Sequence, residues 1–352
     1  MSAPLRLIQV GCGGWGWSWI EIVQRSKLWN LQGIVDVSPF VLEKAQRTYG
    51  LAKDRTFTSL EGALRNVEAD AALIVVPPKL HAPVAEEALS LGLHCLVEKP
   101  LADSVLDANR IVAAGKNGRK KVMVSQNYRF KRAPQTVKTV LQTGVIGEIG
   151  TVYLNFQKAP PFTGFRVEME EPVLTDFCIH HFDQMRGILG LEPVRISARS
   201  WNPKWSIFAG NAVASVIIEM QNQAVVVYNA SWVSQGWETT WDGDWRIQGD
   251  GGEIHWANNE IAIRPKDLFK TVFMDGAVER EGILQANLLP MEVEERQAVL
   301  AEFANSILED REPETNAFDN LRSMAMVLAS VDSAKRAEPI LIEEVLRRPE
   351  TP

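Results

Sequence analysis

The segment Leu5-Arg6-Leu7-Ile8-Gln9-Val10 runs without a break into Gly11-Cys12-Gly13-Gly14-Trp15-Gly16. An apolar strand that empties into Gly-x-Gly-x-x-Gly and then a helix is a turn shaped to grip phosphate. Gly11 permits the tight turn, Gly13 lets the backbone approach a pyrophosphate, and Gly16 lets the following helix pack against the strand. A helix from about Trp15 to Arg25 then aims its free N–H groups and the positive end of its dipole at the anion. The whole cradle, Cys12, Gly14 and Trp15 included, is the first candidate for cofactor binding.

The next apolar run, Leu31–Asp36, ends in an acid 20 residues after Gly16. An acid at that point hydrogen-bonds the adenosine ribose hydroxyls of NAD. It also repels a 2′-phosphate, by ~4 kcal/mol per charge pair at contact and an effective dielectric of about 20. Ser38 and the lack of a nearby Arg agree with this, so NAD is expected rather than NADP.

The rhythm of the chain then sets the fold class. Strands at Leu5–Val10, Leu31–Asp36, Arg55–Phe57, Ala71–Val76, His94–Glu98 and Val122–Val124 alternate with helices near Trp15–Arg25, Pro39–Tyr49, Ser59–Asn66, His81–Leu91 and Ser104–Gly115. Short continuous apolar strands between helices mean a doubly wound parallel sheet covered on both faces. From Ser125 the rhythm changes. A helix over Arg132–Thr143 is followed by strand-like stretches at Gly150–Gln157, Val194–Ser200, Ala212–Met220, Ala224–Ser231, Asp244–Gly249, Glu253–Ala257 and Glu260–Arg264. Late helices span Met291–Glu309 and Phe318–Lys335. The expected architecture is α/β. A dinucleotide-binding domain over residues 1–122 precedes an α+β domain over 123–352, whose sheet is mainly antiparallel with helices on one side. A length of 352 residues suits two cores better than one.

Net charge is -7, which argues against non-specific nucleic-acid binding. Cys12, Cys95 and Cys178 are scattered and odd in number, so neither a disulfide framework nor a metal site is expected. A first strand at Leu5 leaves no room for a signal peptide, and no apolar run reaches membrane-spanning length. A soluble, reducing, cytoplasmic location is therefore expected.

Three further segments carry chemistry. Val75-Val76-Pro77-Pro78 closes a parallel strand with two prolines at the sheet end where ligands bind, and His81 opens the next helix. His81 is either near the nicotinamide half of the cofactor or satisfied by backbone. Glu98-Lys99-Pro100 closes the following strand. A lysine there can hold a substrate hydroxyl and stabilise a developing alkoxide, or remain a surface lysine. The third segment is Thr175–Gly187. Read as a helix, it carries Cys178, Phe182, Met185 and Leu189 on one stripe and Asp176, His180 and Asp183 on another. Two acids beside a histidine favour the imidazolium and bring a general base toward neutrality; a solvated polar face is the plain alternative.

Together these segments resemble the Gfo/Idh/MocA family of oxidoreductases, which includes glucose–fructose oxidoreductase and inositol dehydrogenase. The matching pieces are Gly11–Gly16, Asp36, Pro77-Pro78 with His81, Glu98-Lys99-Pro100, Asn127-Tyr128-Arg129-Phe130, Gly144–Gly150 and Asp176-xxx-His180-xx-Asp183, in order over about residues 5–190. The resemblance implies a Rossmann domain followed by a domain whose large open sheet often forms dimers and tetramers. It implies hydride exchange between a nicotinamide and a sugar, cyclitol or related polyol carbon. Lys99 would bind and polarise the reacting oxygen, His180 would be the general acid/base, and Asp176 would bind substrate and tune His180. Asn127 would approach the nicotinamide ribose, while Tyr128 or Arg129 would line the substrate side. Glu98 and Lys99, with Pro77, Pro78 and His81, would border the cofactor. The sequence departs from the family pattern at Cys178, where Gly is common, and at Glu170–Leu174, which replaces a glycine-rich stretch before the aspartate.

Two alternatives stay beside this expectation. Some relatives keep the nicotinamide bound, oxidise a sugar carbon transiently and act as redox-neutral glycosidases or lyases. Others sense NAD without catalysis and lack the lysine. Of the eleven tryptophans, most are expected in the core or in a subunit interface, with Trp15 and Trp17 as candidate cleft walls.

Overall fold

The computed structural model describes residues 3–267, 278–280 and 282–348. The chain divides into two compact units. One comprises the chain through Asn127 together with Val293–Leu321; the other comprises Tyr128–Glu292 and Arg322–Arg348.

The first unit is built on β1 (Leu5–Val10), β2 (Trp29–Val35), β3 (Thr56–Phe57), β4 (Ala71–Ile74), β5 (His94–Glu98) and β6 (Val122–Ser125). Every ladder is parallel and the strand order is β3-β2-β1-β4-β5-β6. Chain order reverses between β1 and β4, and that reversal opens a crevice at the carboxyl ends of these two strands. All four residues of β4 are buried, and His94 is the least buried residue of β5, as the continuous apolar runs require of strands covered on both faces. The first helix is Gly16–Arg25, starting one residue later than the sequence suggests.

The return of Val293–Leu321 to this unit departs from a boundary near residue 122. Its helix, Glu295–Leu308, stacks Phe303 on Trp29 with ring centroids 5.4 Å apart, and its Leu300 carbonyl accepts the Trp29 indole N–H at 2.8 Å. Thr315 donates its hydroxyl to the Val124 carbonyl at 2.7 Å. These pairings join residues nearly 200 or more positions apart, which no local pattern announces.

The second unit carries β7 (Ile149–Gln157), β8 (Pro193–Trp201), β9 (Val213–Met220), β10 (Val225–Ser231), β11 (Asp244–Gly249), β12 (Gly252–Ala257), β13 (Glu260–Pro265), β14 (Val278–Arg280), β15 (Ile283–Ala286) and β16 (Ile340–Leu341). Their order is β14-β15-β13-β12-β11-β7-β10-β9-β8-β16. Among the described strands of this sheet only β7 and β10 pair in parallel. The last three of these strands were not evident in the sequence, being two to four residues long. Burial alternates along β7 and β9, so one face is covered and the other is open. The helix Cys178–Leu189 lies on the covered face: Phe182 meets Tyr228 of β10 at 5.5 Å, and Phe177 stacks on Phe156 of β7 at 4.3 Å.

The tryptophans divide by this plan. Trp19, Trp29, Trp232, Trp245 and Trp256 are buried, and the last two stack at 5.4 Å across β11 and β12. Trp17 is half-buried against Tyr49. Trp15, Trp201, Trp205, Trp237 and Trp241 are exposed. No helix among the described residues is long and apolar enough to cross a membrane.

Candidate active site

The glycine turn lies at the crevice between β1 and β4. Gly11 has φ +90°, and a Cβ there would meet the Val75 carbonyl oxygen at 2.2 Å. A Cβ on Gly16 would meet the Gly11 oxygen at 2.4 Å. A Cβ on Gly13 or Gly14 meets nothing within 4 Å. Two glycines are thus required by close packing, and two leave open backbone at a helix N-terminus, the place for a pyrophosphate. Gln9, a fully buried amide in β1, holds the turn from beneath. Its Nε2 donates to the Gly11 carbonyl at 3.0 Å and to the Gly16 carbonyl at 2.7 Å. A glutamine in a strand whose other polar residue, Arg6, lies nearer its start was the overlooked signal.

Asp36 stands at the end of β2. Its Oδ2 accepts the Cys12 N–H and its Oδ1 accepts the Ser38 N–H, both at 2.9 Å. Each carboxylate oxygen keeps a further lone pair. Cys12 offers the cradle only backbone: its side chain is buried and its thiol is pushed up to about 12 by that burial. Open backbone at Gly13 and Gly14 together with this carboxylate fits a dinucleotide with free ribose hydroxyls.

Glu98 ends β5 and is buried. Its Oε1 accepts two indole N–H groups, Trp15 at 3.1 Å and Trp19 at 2.8 Å, while its Oε2 accepts the Lys99 backbone N–H at 3.0 Å. The Arg296 guanidinium lies over both indoles, 4.5 Å from Trp15 and 5.3 Å from Trp19, and donates to Ser18 Oγ at 2.7 Å. Burial lowers the Arg296 pKa, and the Glu98 charge opposes that shift. Glu98 thereby joins the phosphate turn to the strand end that bears Lys99. Lys99 and Asn127 are half-buried, and Pro77 and Pro78 are exposed.

His81 takes the backbone option. It is buried, with Nδ1 2.8 Å from the Pro100 carbonyl and Nε2 2.9 Å from that of Val76. Burial lowers its pKa. It braces the Pro77 and Lys99–Pro100 loops against each other rather than presenting a polar edge.

In the second unit the segment expected as one regular helix is broken in two. Val173–Phe177 is a π-helical turn after Pro172, and Cys178–Leu189 is α-helical. The Thr175 hydroxyl donates to the Glu171 carbonyl at 2.7 Å within that turn. Such widened turns recur at functional sites because the extra residue re-aims side chains. Asp176 lies in the π turn while His180 and Asp183 share the α-helix, so the turn changes the phase of Asp176 relative to the other two. Asp183 faces inward: its carboxylate accepts Arg129 Nε at 2.8 Å, Arg129 Nη2 at 2.7 Å and Ser323 Oγ at 2.9 Å. The Arg129 and Asp183 side chains are 7% and 1% exposed, so Arg129 is committed to this pair rather than to an open substrate side. Gly187 makes room for it, since a Cβ there would meet Arg129 Nε at 2.7 Å.

Tyr128 and His180 come together. Their rings stack at 4.4 Å with an interplanar angle of 20°. Lys131 Nζ lies 3.6 Å from the centre of the Tyr128 ring and pairs with both oxygens of Asp242 at 3.1 Å. Asp176 accepts Arg166 Nε at 2.6 Å. The neighbouring His181 is a different kind of group. Its Nε2–H donates to the Trp241 carbonyl and its Nδ1 accepts the Tyr228 hydroxyl, both at 2.9 Å. Burial holds its pKa at about 3, and it stays neutral. Cys178, beside the same hydroxyl, is pushed up to about 12 by burial. Gln9, Trp19, Arg296, Lys131 and Arg166 were not singled out from the sequence for this site; Trp19, Arg296 and Lys131 have hydrogen-bond partners more than 75 residues away, whereas those of Gln9 and Arg166 lie within ten.

A dinucleotide cradle at the switch point of a parallel sheet, followed by a unit bearing a stacked histidine and a nearby carboxylate, defines a nicotinamide-dependent oxidoreductase class. The chain belongs to the Gfo/Idh/MocA oxidoreductase family. Residues 5–126 match its NAD-binding Rossmann fold and residues 134–255 match its C-terminal domain. A Sinorhizobium fredii protein described as uncharacterized protein y4oX is 26% identical over 97% of both chains. Inositol 2-dehydrogenase of Corynebacterium glutamicum is 27% identical over 78% of this chain and 82% of its own. An Agrobacterium radiobacter oxidoreductase solved with NAD+, L-tartaric acid and magnesium shares the fold, with a TM-score of 0.84 at 22% identity, covering 96% of this chain and 98% of the other.

Proposed function

We propose that this chain is an NAD-dependent dehydrogenase or reductase that exchanges hydride with a carbinol carbon of a sugar, cyclitol or related polyol. The observation that carries this is Glu98, whose two oxygens tie the tryptophans of the phosphate turn to the backbone of Lys99. A lysine so anchored to a cofactor cradle is suited to the reacting oxygen. The likeness to an inositol 2-dehydrogenase supports a polyhydroxylated substrate.

A bound nicotinamide would supply hydride-transfer chemistry. Gly13, Gly14 and the helix N-terminus at Trp15–Gly16 would hold the pyrophosphate, Asp36 the adenosine ribose and Asn127 the second ribose, with Pro77 and Pro78 bordering the cofactor. Lys99 binds the substrate hydroxyl and stabilises its developing negative charge. His180 removes or returns the hydroxyl proton. Asp176 binds a neighbouring hydroxyl and favours the imidazolium of His180. Tyr128 keeps the imidazole plane fixed by stacking on it, and Arg129 anchors the same helix through Asp183. Asp36 selects NAD over NADP by charge.

The test is absorbance at the NADH band with sugars, inositols and sugar acids, NAD and NADP in parallel. A signal that needs NAD is expected, with kcat/KM lowered roughly 100- to 10,000-fold in Lys99→Ala and His180→Ala. Full turnover by Lys99→Ala removes that residue from the mechanism. Silence on every substrate despite NAD binding overturns the dehydrogenase assignment, and product formed without steady NADH indicates a redox-neutral reaction. A dimer or tetramer through the open sheet face, where Tyr153 and Ile217 are 40% and 46% exposed, accompanies the proposal; light scattering that finds a monomer refutes it.

A further inference from the structure

Arg166 stands next to Asp176, the carboxylate proposed to bind substrate, with most of its donors unspent. Its Nε donates to Asp176 Oδ2 at 2.6 Å. Its two terminal nitrogens make no hydrogen bond among the described residues, and the side chain remains 36% exposed. The guanidinium is nevertheless fixed. It lies 5.1 Å from the Phe162 ring centre and 4.9 Å from that of Phe165. Phe162 in turn packs on Trp232 at 4.8 Å, and Trp232 lies 6.0 Å from Phe177, the residue after Asp176. The segment is further pinned where the Ala209 N–H donates to the Val167 carbonyl at 2.8 Å.

A guanidinium that serves only to neutralise Asp176 would present its paired face to the carboxylate. Here a single Nε bond is used, and four N–H donors are left to something else. A rigid planar fork with free terminal donors matches a carboxylate or phosphate in two parallel bonds. Aromatic contacts hold the fork in place before any ligand arrives, so little side-chain freedom remains to be lost on binding.

We infer that Arg166 makes this an oxyanion-bearing substrate: a polyol carrying a carboxylate or a phosphate monoester, whose anionic group the terminal nitrogens of Arg166 take while Asp176 takes a hydroxyl. This rests on the dehydrogenase assignment above and names the substrate class of that same site.

Four- to six-carbon aldonates, the alditols of the same length and the alditol monophosphates are compared with NAD, by turnover and by calorimetric binding to the full chain. At least one anion is expected to exceed its neutral parent in kcat/KM and in affinity by tenfold or more. Arg166→Gln should remove roughly 10- to 100-fold of that advantage, read as the ratio of anion to neutral parent within the same variant, and bind the anion no better than the neutral compound. Arg166→Lys should restore part of it, and matching thermal unfolding of the variants shows that the fold is kept. Aldonate and monophosphate arms decide which oxyanion is preferred. Neutral compounds bound as well as their acids, no binding by either, or a preference that survives Arg166→Gln overturns the inference. Anion binding that depends on Arg166 without any hydride transfer leaves the inference standing and overturns the dehydrogenase assignment instead.

Discussion

Replacing Asp183 with Asn isolates the contribution of a buried pair that the chain forms 54 residues apart. The variant keeps volume and one carbonyl oxygen, but it removes the charge opposite Arg129. With the Arg129 side chain 7% exposed, its guanidinium has no route to water without unpacking the helix that carries His180. Breaking a buried pair by removing one partner costs about 3–5 kcal/mol. For a unit of this size each kcal/mol moves the midpoint by about 2–4 °C, so the second unit should melt roughly 6–20 °C earlier. The oxygen that remains at the Oδ1 position keeps the Ser323 bond, and the new amide NH2 then faces Arg129 Nε, donor against donor. Circular dichroism melts of the full chain, read for the transition that shifts, measure the effect. The companion is the double variant Arg129→Met with Asp183→Leu, which replaces both charges by apolar groups. It should recover most of the loss, because desolvating an unpaired ion is the larger cost, giving a coupling of about 2 kcal/mol or more in the cycle closed by the Arg129→Met and Asp183→Leu single variants. An Asp183→Asn protein that melts within about 1 °C of the parent, or single-variant losses that simply add, would refute this account.

Two further outcomes follow from the same geometry. His181 is held neutral down to about 3, whereas the unfolded chain's histidine takes a proton below its ordinary value near 6.5. Between those limits the unfolded state binds more protons, so stability falls as pH falls, by at most about 1.4 kcal/mol per pH unit from this group. Urea unfolding at pH 7, 6 and 5 should show a shallower slope in His181→Gln than in the parent, and equal slopes would count against the neutral assignment. Gly13→Ala and Gly11→Ala should part company. An added methyl at Gly13 meets nothing within 4 Å, so the protein should fold normally and lose NAD affinity, whereas at Gly11 it meets the Val75 oxygen at 2.2 Å with φ at +90° and should destabilise the unit itself. Calorimetric NAD titration beside thermal unfolding separates the two, and unimpaired NAD binding by Gly13→Ala would move the pyrophosphate elsewhere.

The sequence by itself determined what depends on near neighbours. Continuous apolar runs placed β1, β4 and β5, since a strand buried on both faces needs no alternation, and the strand His94–Glu98 was legible to the residue. Glycine spacing located the cradle, because only residues without Cβ fit a turn whose carbonyls approach within 2.4 Å of one. Asp176 and His180 were expected as neighbours on one helical face; the structure sets them in a π turn and the α-helix that follows it. Tertiary structure alone decided what long-range partners do to those residues. Asp183 was assigned by spacing to the face of His180, and the α-helix keeps that spacing, but Arg129 draws its carboxylate into a buried ion pair. Arg129, expected with Tyr128 on the substrate side, is instead paired with buried Asp183 through Nε and Nη2. Glu98 acquired its meaning from indoles 79 and 83 residues away, and Arg166 from a bond to Asp176 that helical spacing does not encode. The division has one physical cause. Periodicity and turn chemistry act over a few residues, whereas the cost of burying a polar group is settled only when packing supplies, or withholds, its partner.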